Sequence, residues 1–236
     1  MDKQIIDIEG IGEVEFRRST KFKRTKMRVE AMQNVVVNLT PFDSIETGIK
    51  FVVSHREWIE KTRKKVTIFT PETQFTTRMY TLHMQPSEKQ KIIAYISHSK
   101  GEVNVFYPKN IAPENERVQR LTRKALAAAM KKEALTLVAP RVTELAKLHG
   151  LTFEHLGFRD MKSRWGSCEW RQKRISLNVQ LVRMPTELID YVILHELCHL
   201  LHANHGSEFW ATLDKFCDGK AHQLDNEVSK WSTQLY

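Results

Sequence analysis

Polar and apolar positions alternate along the first forty residues. The segments VEFRRS, KMRVEAM and VVVNL, within residues 13–39, carry the two-residue period of strands that bury one face, and turn-like breaks separate them. This pattern predicts a small antiparallel sheet. After Asp43 or Ser44, either of which can cap a helix, Ile45, Ile49, Phe51, Val52, Trp58 and Ile59 mark the buried side of one helix running to about Lys64. Four further strands are expected over residues 66–107, namely VTIF, RMYTLHM, KIIAYIS and EVNVFY, with the polar stretches PETQ, QPSEKQ and SKGE as hairpin loops between them.

At Pro113 the period changes. Val118, Leu121, Leu126, Ala129, Leu135 and Val138 predict a long helix, broken or restarted near Pro140 and ending at Gly150. Strands are then expected at 151–156 and at ISLNVQL (175–181), joined across the basic, aromatic loop RDMKSRWGSCEWRQK. Pro185 opens the helix TELIDYVILHELCHLLHA, whose Leu188, Tyr191, Val192 and Leu200 stand in a nearly continuous apolar background. Such a helix is buried on most sides, with FWATLDKF supplying another behind it. The expected fold is α+β: a β-rich N-terminal domain with one helix over residues 1–112, and a helical domain with a small sheet over residues 113–236.

Composition narrows the class. Hydrophobic residues make up 41% of the 236, and the charged 28% are interspersed rather than blocked, which excludes a disordered tail. The acidic start MDKQIIDIEGIGEVEF does not read as an export signal, and the best apolar run, ALTLVAP, is far shorter than a membrane helix. A soluble cytoplasmic protein with no membrane partner is therefore expected. Cys168, Cys198 and Cys217, odd in number and without CxxC spacing, read as thiols rather than a disulfide framework. The net charge of +9 favours an anionic partner, and much of it comes from RRSTKFKRTKMR, KTRKK, RVQRLTRK and RDMKSRWGSCEWRQKR. A solvated surface explains any one of these runs more readily than a binding patch does.

The chemistry gathers on the buried helix. His195 and His199 are four residues apart, so they project from one face about 6 Å apart along the axis and can bind one zinc ion. Glu196 follows the first histidine, where it can accept a proton from a metal-bound water without itself binding the metal. In an apolar helix paired neutral imidazoles each need a partner, and a metal satisfies both. A catalytic zinc takes a third protein ligand. His202 lies roughly a turn too far along the axis, whereas His205 lies past the expected helix end at Ala203 or Asn204, where the chain can turn back. Cys198 points off the histidine face and reads as a small core residue. Arg164 is a candidate for holding an anionic or carbonyl oxygen and Trp165 for a wall of a substrate groove, although a tight turn packed on the core fits RWGSC equally well. Asn178 is placed either to cap a turn or to orient a ligand.

The order EWIEKTRKK, RWGSC, ISLN, LIDYVILHELCHL and NHGSEFW resembles the YgjP-type zinc metallopeptidases, related to SprT-type and WLM-type proteases, over most of the chain. The resemblance implies a zincin-like metalloprotease core holding one zinc ion, with His195, His199 and His205 as ligands and Glu196 as catalytic acid and base. His202 stands where a metzincin has its bending glycine, and no methionine follows to build that family's turn. The expected activity is that of a zinc-dependent metallopeptidase acting on a peptide or protein. Two alternatives share the motif: a metal-dependent phosphohydrolase acting on nucleotides, and a nucleic-acid-associated protease using the basic runs.

Overall fold

The alternation near the N-terminus does form strands, and the computed structural model, which describes residues 2–30, 33–63 and 67–233, places them in one mixed sheet. Strands β1 (Asp2–Ile8), β2 (Gly12–Arg18), β3 (Lys26–Val29) and β4 (Val35–Leu39) lie in the order β1-β2-β4-β3. β1 and β2 pair antiparallel, as do β3 and β4, but β2 and β4 run parallel. The sheet is therefore not purely antiparallel as expected. Val14, Phe16, Val29, Val35, Val37 and Leu39 turn inward to a core shared with Val52 and Ile59 of two helices.

Those helices were expected as one. Ser44 caps α1 (Ile45–Ser54) by accepting from Thr47 N–H at 3.0 Å, and α2 spans Arg56–Arg63. The break at His55 has a local cause. The Phe51 carbonyl, which an unbroken helix would offer to the His55 amide, instead accepts from the Ser54 hydroxyl (2.9 Å) and the His55 ring (2.8 Å), and the His55 amide donates to Val52. The expected end near Lys64, and Val66, lie outside the described residues. Gly48 lets α1 sit on the sheet, since a Cβ there would fall 2.8 Å from the Phe16 ring.

These elements belong to one compact unit, whose described residues run to Phe69, and the described residues from Thr70 onward form a second. In the second unit β5 (Thr81–Ser87), β6 (Ile93–Ser97) and β7 (Glu102–Pro108) form a sheet ordered β5-β7-β6, with β5 parallel and β6 antiparallel to β7. Residues 67–69 are not in a strand. Asn115 caps α3 (Glu116–Leu148), which runs through Pro140 without ending. Pro140 and Thr136, the residue whose carbonyl an amide at position 140 would serve, are both exposed. Buried Glu133 of α3 accepts from the Thr77 hydroxyl and from the Arg78 amide at 3.1 Å, which pins the segment entering β5 to the helix. The domain change expected near residue 112 thus falls inside this unit, and the two units divide instead between Phe69 and Thr70.

A third sheet follows α3. β8 (His155–Arg159), β9 (Gly166–Glu169) and β10 (Arg174–Asn178) are ordered β8-β10-β9, so part of the expected loop forms an edge strand. Three helices close the unit: α4 (Thr186–Cys198), α5 (Ser207–Phe216) and α6 (Ala221–Ser229). Among the described residues no helix is long and apolar enough to cross a membrane.

Candidate metal centre

Helix α4 starts at Pro185, whose carbonyl accepts from Leu188 and Ile189, and it buries Leu188, Ile189, Val192, Ile193, Leu194 and Leu197. It ends at Cys198, earlier than the apolar pattern suggests, with His199 as the C-terminal cap. The amides of Leu200, Leu201 and His202 then close tight turns on the carbonyls of Leu197 and Cys198, and the chain reverses into α5. Gly206 is extended (φ −75°), so the reversal does not depend on a left-handed glycine. It returns His205 to the histidine pair.

One ligand atom from each of His195, His199 and His205 lies within 4.8 Å of the others, and the Nε2 atoms of His195 and His205 are 3.0 Å apart. A tetrahedral zinc with bonds of about 2.05 Å spaces its nitrogens by about 3.3 Å, so small side-chain adjustments bring the three onto one ion. The His199 tautomer follows from geometry. Its Nδ1 lies 3.0 Å from the His202 carbonyl, which can only accept, so Nδ1 carries the proton and Nε2 keeps its lone pair for a metal. Burial, with the neighbouring imidazoles of His199 and His205, holds His195 down to about 4, and burial lowers His199 as well. Both are neutral at pH 7, the state that binds metals.

Under the three rings lies Phe209 of α5, fully buried, with its centroid 5.0 Å from that of His195 and 4.7 Å from those of His199 and His205. This apolar floor restricts all three imidazoles at once. His202 takes no part in the triad: its Nε2 lies 2.9 Å from the Thr212 hydroxyl, and its carbonyl orients His199. Cys198 is buried with its thiol toward the Phe209 carbonyl.

Glu196 points into the protein. It is 5% exposed, its Oε2 has no hydrogen-bond partner among the described residues, and burial pushes its carboxyl up to about 8 against the pull of the Arg164 guanidinium. Its neighbour is backbone. A Cβ at Gly166, the first residue of β9, would stand 2.4 Å from Glu196 Oε1, so only glycine admits the carboxyl in this position. The three imidazole nitrogens by themselves make a donor set that fits a divalent cation.

The RWGSC segment is fastened beneath by Asn178. The buried Asn178 amide donates to the carbonyls of Met161 (2.7 Å) and Arg164 (2.9 Å), its Oδ1 accepts from Gln180 N–H (3.1 Å), and its own N–H donates to the Trp165 carbonyl (2.8 Å). Asn178 therefore caps a turn and also holds the segment that carries Arg164 and Trp165. Arg164 is exposed and Trp165 half-buried. The sequence pattern did not single out Gly166 or Phe209. Their one signal was their position inside RWGSC and NHGSEFW.

Comparison with known families gives a match to the model described as YgjP-like, metallopeptidase domain, over residues 23–226. A comparison with curated proteins finds no match. Two crystal structures of metallopeptidase zymogens are similar to part of the chain. Abylysin from Pyrococcus abyssi is 20% identical, with 40% of this chain and 93% of that one covered and a TM-score of 0.37. Jannalysin from Methanocaldococcus jannaschii is 25% identical, with 38% and 90% covered and a TM-score of 0.33.

Proposed function

The chain belongs to the YgjP-like metallopeptidase family, and from that premise we propose that it hydrolyses peptide bonds with one zinc ion held by His195, His199 and His205 and with Glu196 as the proton carrier. The observation that carries this reading is the convergence of three imidazole nitrogens from one helix and the turn after it, with the buried, unpartnered carboxyl next in sequence to His195 held against the backbone of an edge strand.

A bound zinc ion would supply Lewis acidity, lowering the pKa of water and polarising a carbonyl. The chain's own residues do the remainder. Glu196, with a free oxygen and a proton affinity raised by burial, takes a proton from the attacking water and delivers it to the leaving amine. Gly166 keeps that carboxyl in place by leaving room for it, and Phe209 keeps the imidazoles from turning away. β9 pairs only with β10, so its outer edge has no strand partner among the described residues, and an extended peptide can add there beside Glu196. This edge favours a peptide over a nucleotide substrate. Arg164 is exposed beside the same segment and is available to the substrate's carbonyl oxygens, with Trp165 as a flanking wall.

The test is to incubate zinc-loaded wild type and Glu196→Gln with a proteome-derived mixture of peptides and nucleotides and to read the products by mass spectrometry. New peptide termini are expected with wild type only, with the rate falling by about 10²–10⁴ in the variant. If nucleotides alone change, the phosphohydrolase alternative replaces this reading; equal peptide cleavage by both proteins removes Glu196 from the reaction.

A further inference from the structure

One end of the N-terminal sheet carries a charge excess that the proposed peptidase chemistry does not use. Residues 17–28, RRSTKFKRTKMR, hold seven basic side chains and no acidic one. Three of the seven have carboxylates nearby. Arg17 contacts Glu15 and Glu30, Arg28 meets Glu30 at 2.8 Å, and Arg18 acts on Asp43. The other four, Lys21, Lys23, Arg24 and Lys26, are exposed, and none has an ion-pair partner among the described residues.

The backbone brings these four to the same end of the sheet as one exposed aromatic ring. Ser19 N–H donates to the Leu39 carbonyl and Phe22 N–H to the Ser19 carbonyl, closing a turn at the end of β4, while Lys26 pairs across the ladder with Asn38. The Thr25 hydroxyl donates to Asp43 Oδ2, which also accepts from the Thr40 amide (3.0 Å) and hydroxyl (2.7 Å). This shared carboxylate ties the cationic loop to the turn Pro41–Phe42. The Thr25 and Thr40 hydrogen bonds hold the Asp43 carboxyl below the usual carboxylate range, so it stays charged, and Arg18 is the cation that acts on it. Phe42 projects from that turn 95% exposed, compared with 72% for Leu148, the next most exposed large apolar residue.

A bare phenyl ring beside four uncompensated cations is a combination that single-stranded nucleic acid satisfies: a base stacks on the ring while successive phosphates meet the cations. A duplex hides its base faces and gives the ring nothing. A small anion is disfavoured because the cations spread over six residues rather than converging. A membrane surface is disfavoured because the patch offers one ring and no apolar stripe to bury. We propose that this end of the N-terminal unit binds single-stranded nucleic acid, with Phe42 as the stacking platform and Lys21, Lys23, Arg24 and Lys26 as phosphate contacts.

The experiment uses the full metal-loaded chain and fluorescence anisotropy with labelled oligo-dT, oligo-U and a duplex of equal length, alongside sedimentation with phosphatidylserine vesicles. Both single strands are expected to bind at low salt, with log K falling by about 3 for each tenfold rise in salt, as four phosphate contacts on a single strand require. The tighter of the two identifies the physiological strand as DNA or RNA. Phe42→Ala should weaken binding about tenfold without changing the salt slope, whereas joint replacement of the four cations by Gln should flatten that slope. Every altered side chain is exposed, so melting temperature and peptide cleavage should stay as in wild type. Absence of binding at low salt, equal binding of the duplex with no effect of Phe42→Ala, or binding of vesicles but not of oligonucleotides would each overturn the proposal.

Discussion

The contact between Gly166 and Glu196 supports a quantitative prediction for Gly166→Ala. The added methyl carbon would stand 2.4 Å from Oε1, 2.5 Å from Cγ and 2.6 Å from Cδ of Glu196, where ordinary contact begins at 3.4 Å. The carboxyl must therefore retreat by about 1 Å, and at 5% exposure it has no solvent-side route of escape. Overpacking of this kind costs about 1–3 kcal/mol of stability. A displacement of about 1 Å in a reacting group costs about a hundredfold in rate. The histidines are not touched, so the variant should bind metal in wild-type amount, retain its KM, and lose about a hundredfold in kcat. Steady-state kinetics on a peptide identified by mass spectrometry, with metal content measured on the same samples, distinguishes the cases. A kcat within twofold of wild type would refute the reasoning outright, and loss of metal would mean that the methyl acts through the ligands instead.

Metal loading should raise the melting temperature: at a thousand times Kd the stabilisation is about 4 kcal/mol, or about 8–16 °C for a unit of this size, and His205→Ala should remove most of the rise in a thermal scan with and without chelator. In the metal-free protein, Glu196 stabilises the fold at low pH and loses that contribution as pH rises from 4.5 towards about 8, while His195 contributes above 6.5 and loses it as pH falls towards about 4. Between pH 8 and 6.5 only the glutamate operates, so acidification over that window should stabilise wild type by about 2 kcal/mol relative to Glu196→Gln in urea titrations; equal slopes would refute it. Asn178→Ala leaves the Met161 and Arg164 carbonyls without their donor and should cost about 2–4 kcal/mol, with new proteolytic cleavage near residues 161–165 as the local sign. Phe209→Ala removes the floor beneath the three imidazoles and should cost about 3–5 kcal/mol and weaken metal affinity, measured by competition with a chromogenic chelator.

The histidine pair was legible because two imidazoles four residues apart inside an apolar helix need a shared partner, and the third histidine because a short reversal is the one route back to the pair. What escaped the sequence was set by partners distant along the chain or by competition within a turn. The parallel pairing of β5 with β7 is invisible to local alternation, which cannot say that a strand skips its sequence neighbour. The segment Gly166–Glu169 carries no alternation of its own and becomes a strand only because β10 offers it a ladder. α6, AHQLDNEVS, is too polar and short to announce itself, yet it buries Ala221, Leu224 and Val228. The split between α1 and α2 depends on Ser54 and His55 capturing one carbonyl, a contest that propensity does not register.

The early end of α4 has an electrostatic consequence. Peptide dipoles aligned along a helix leave the equivalent of about half a negative charge at its C-terminal end, and His199 caps that end with His195 one turn before it. The backbone itself therefore attracts a cation toward the imidazoles, whatever the state of any side chain. This attraction is blind to the identity of the ion. Selection among divalent metals would fall to the three nitrogen donors, whose chemistry favours the later transition ions over magnesium or calcium.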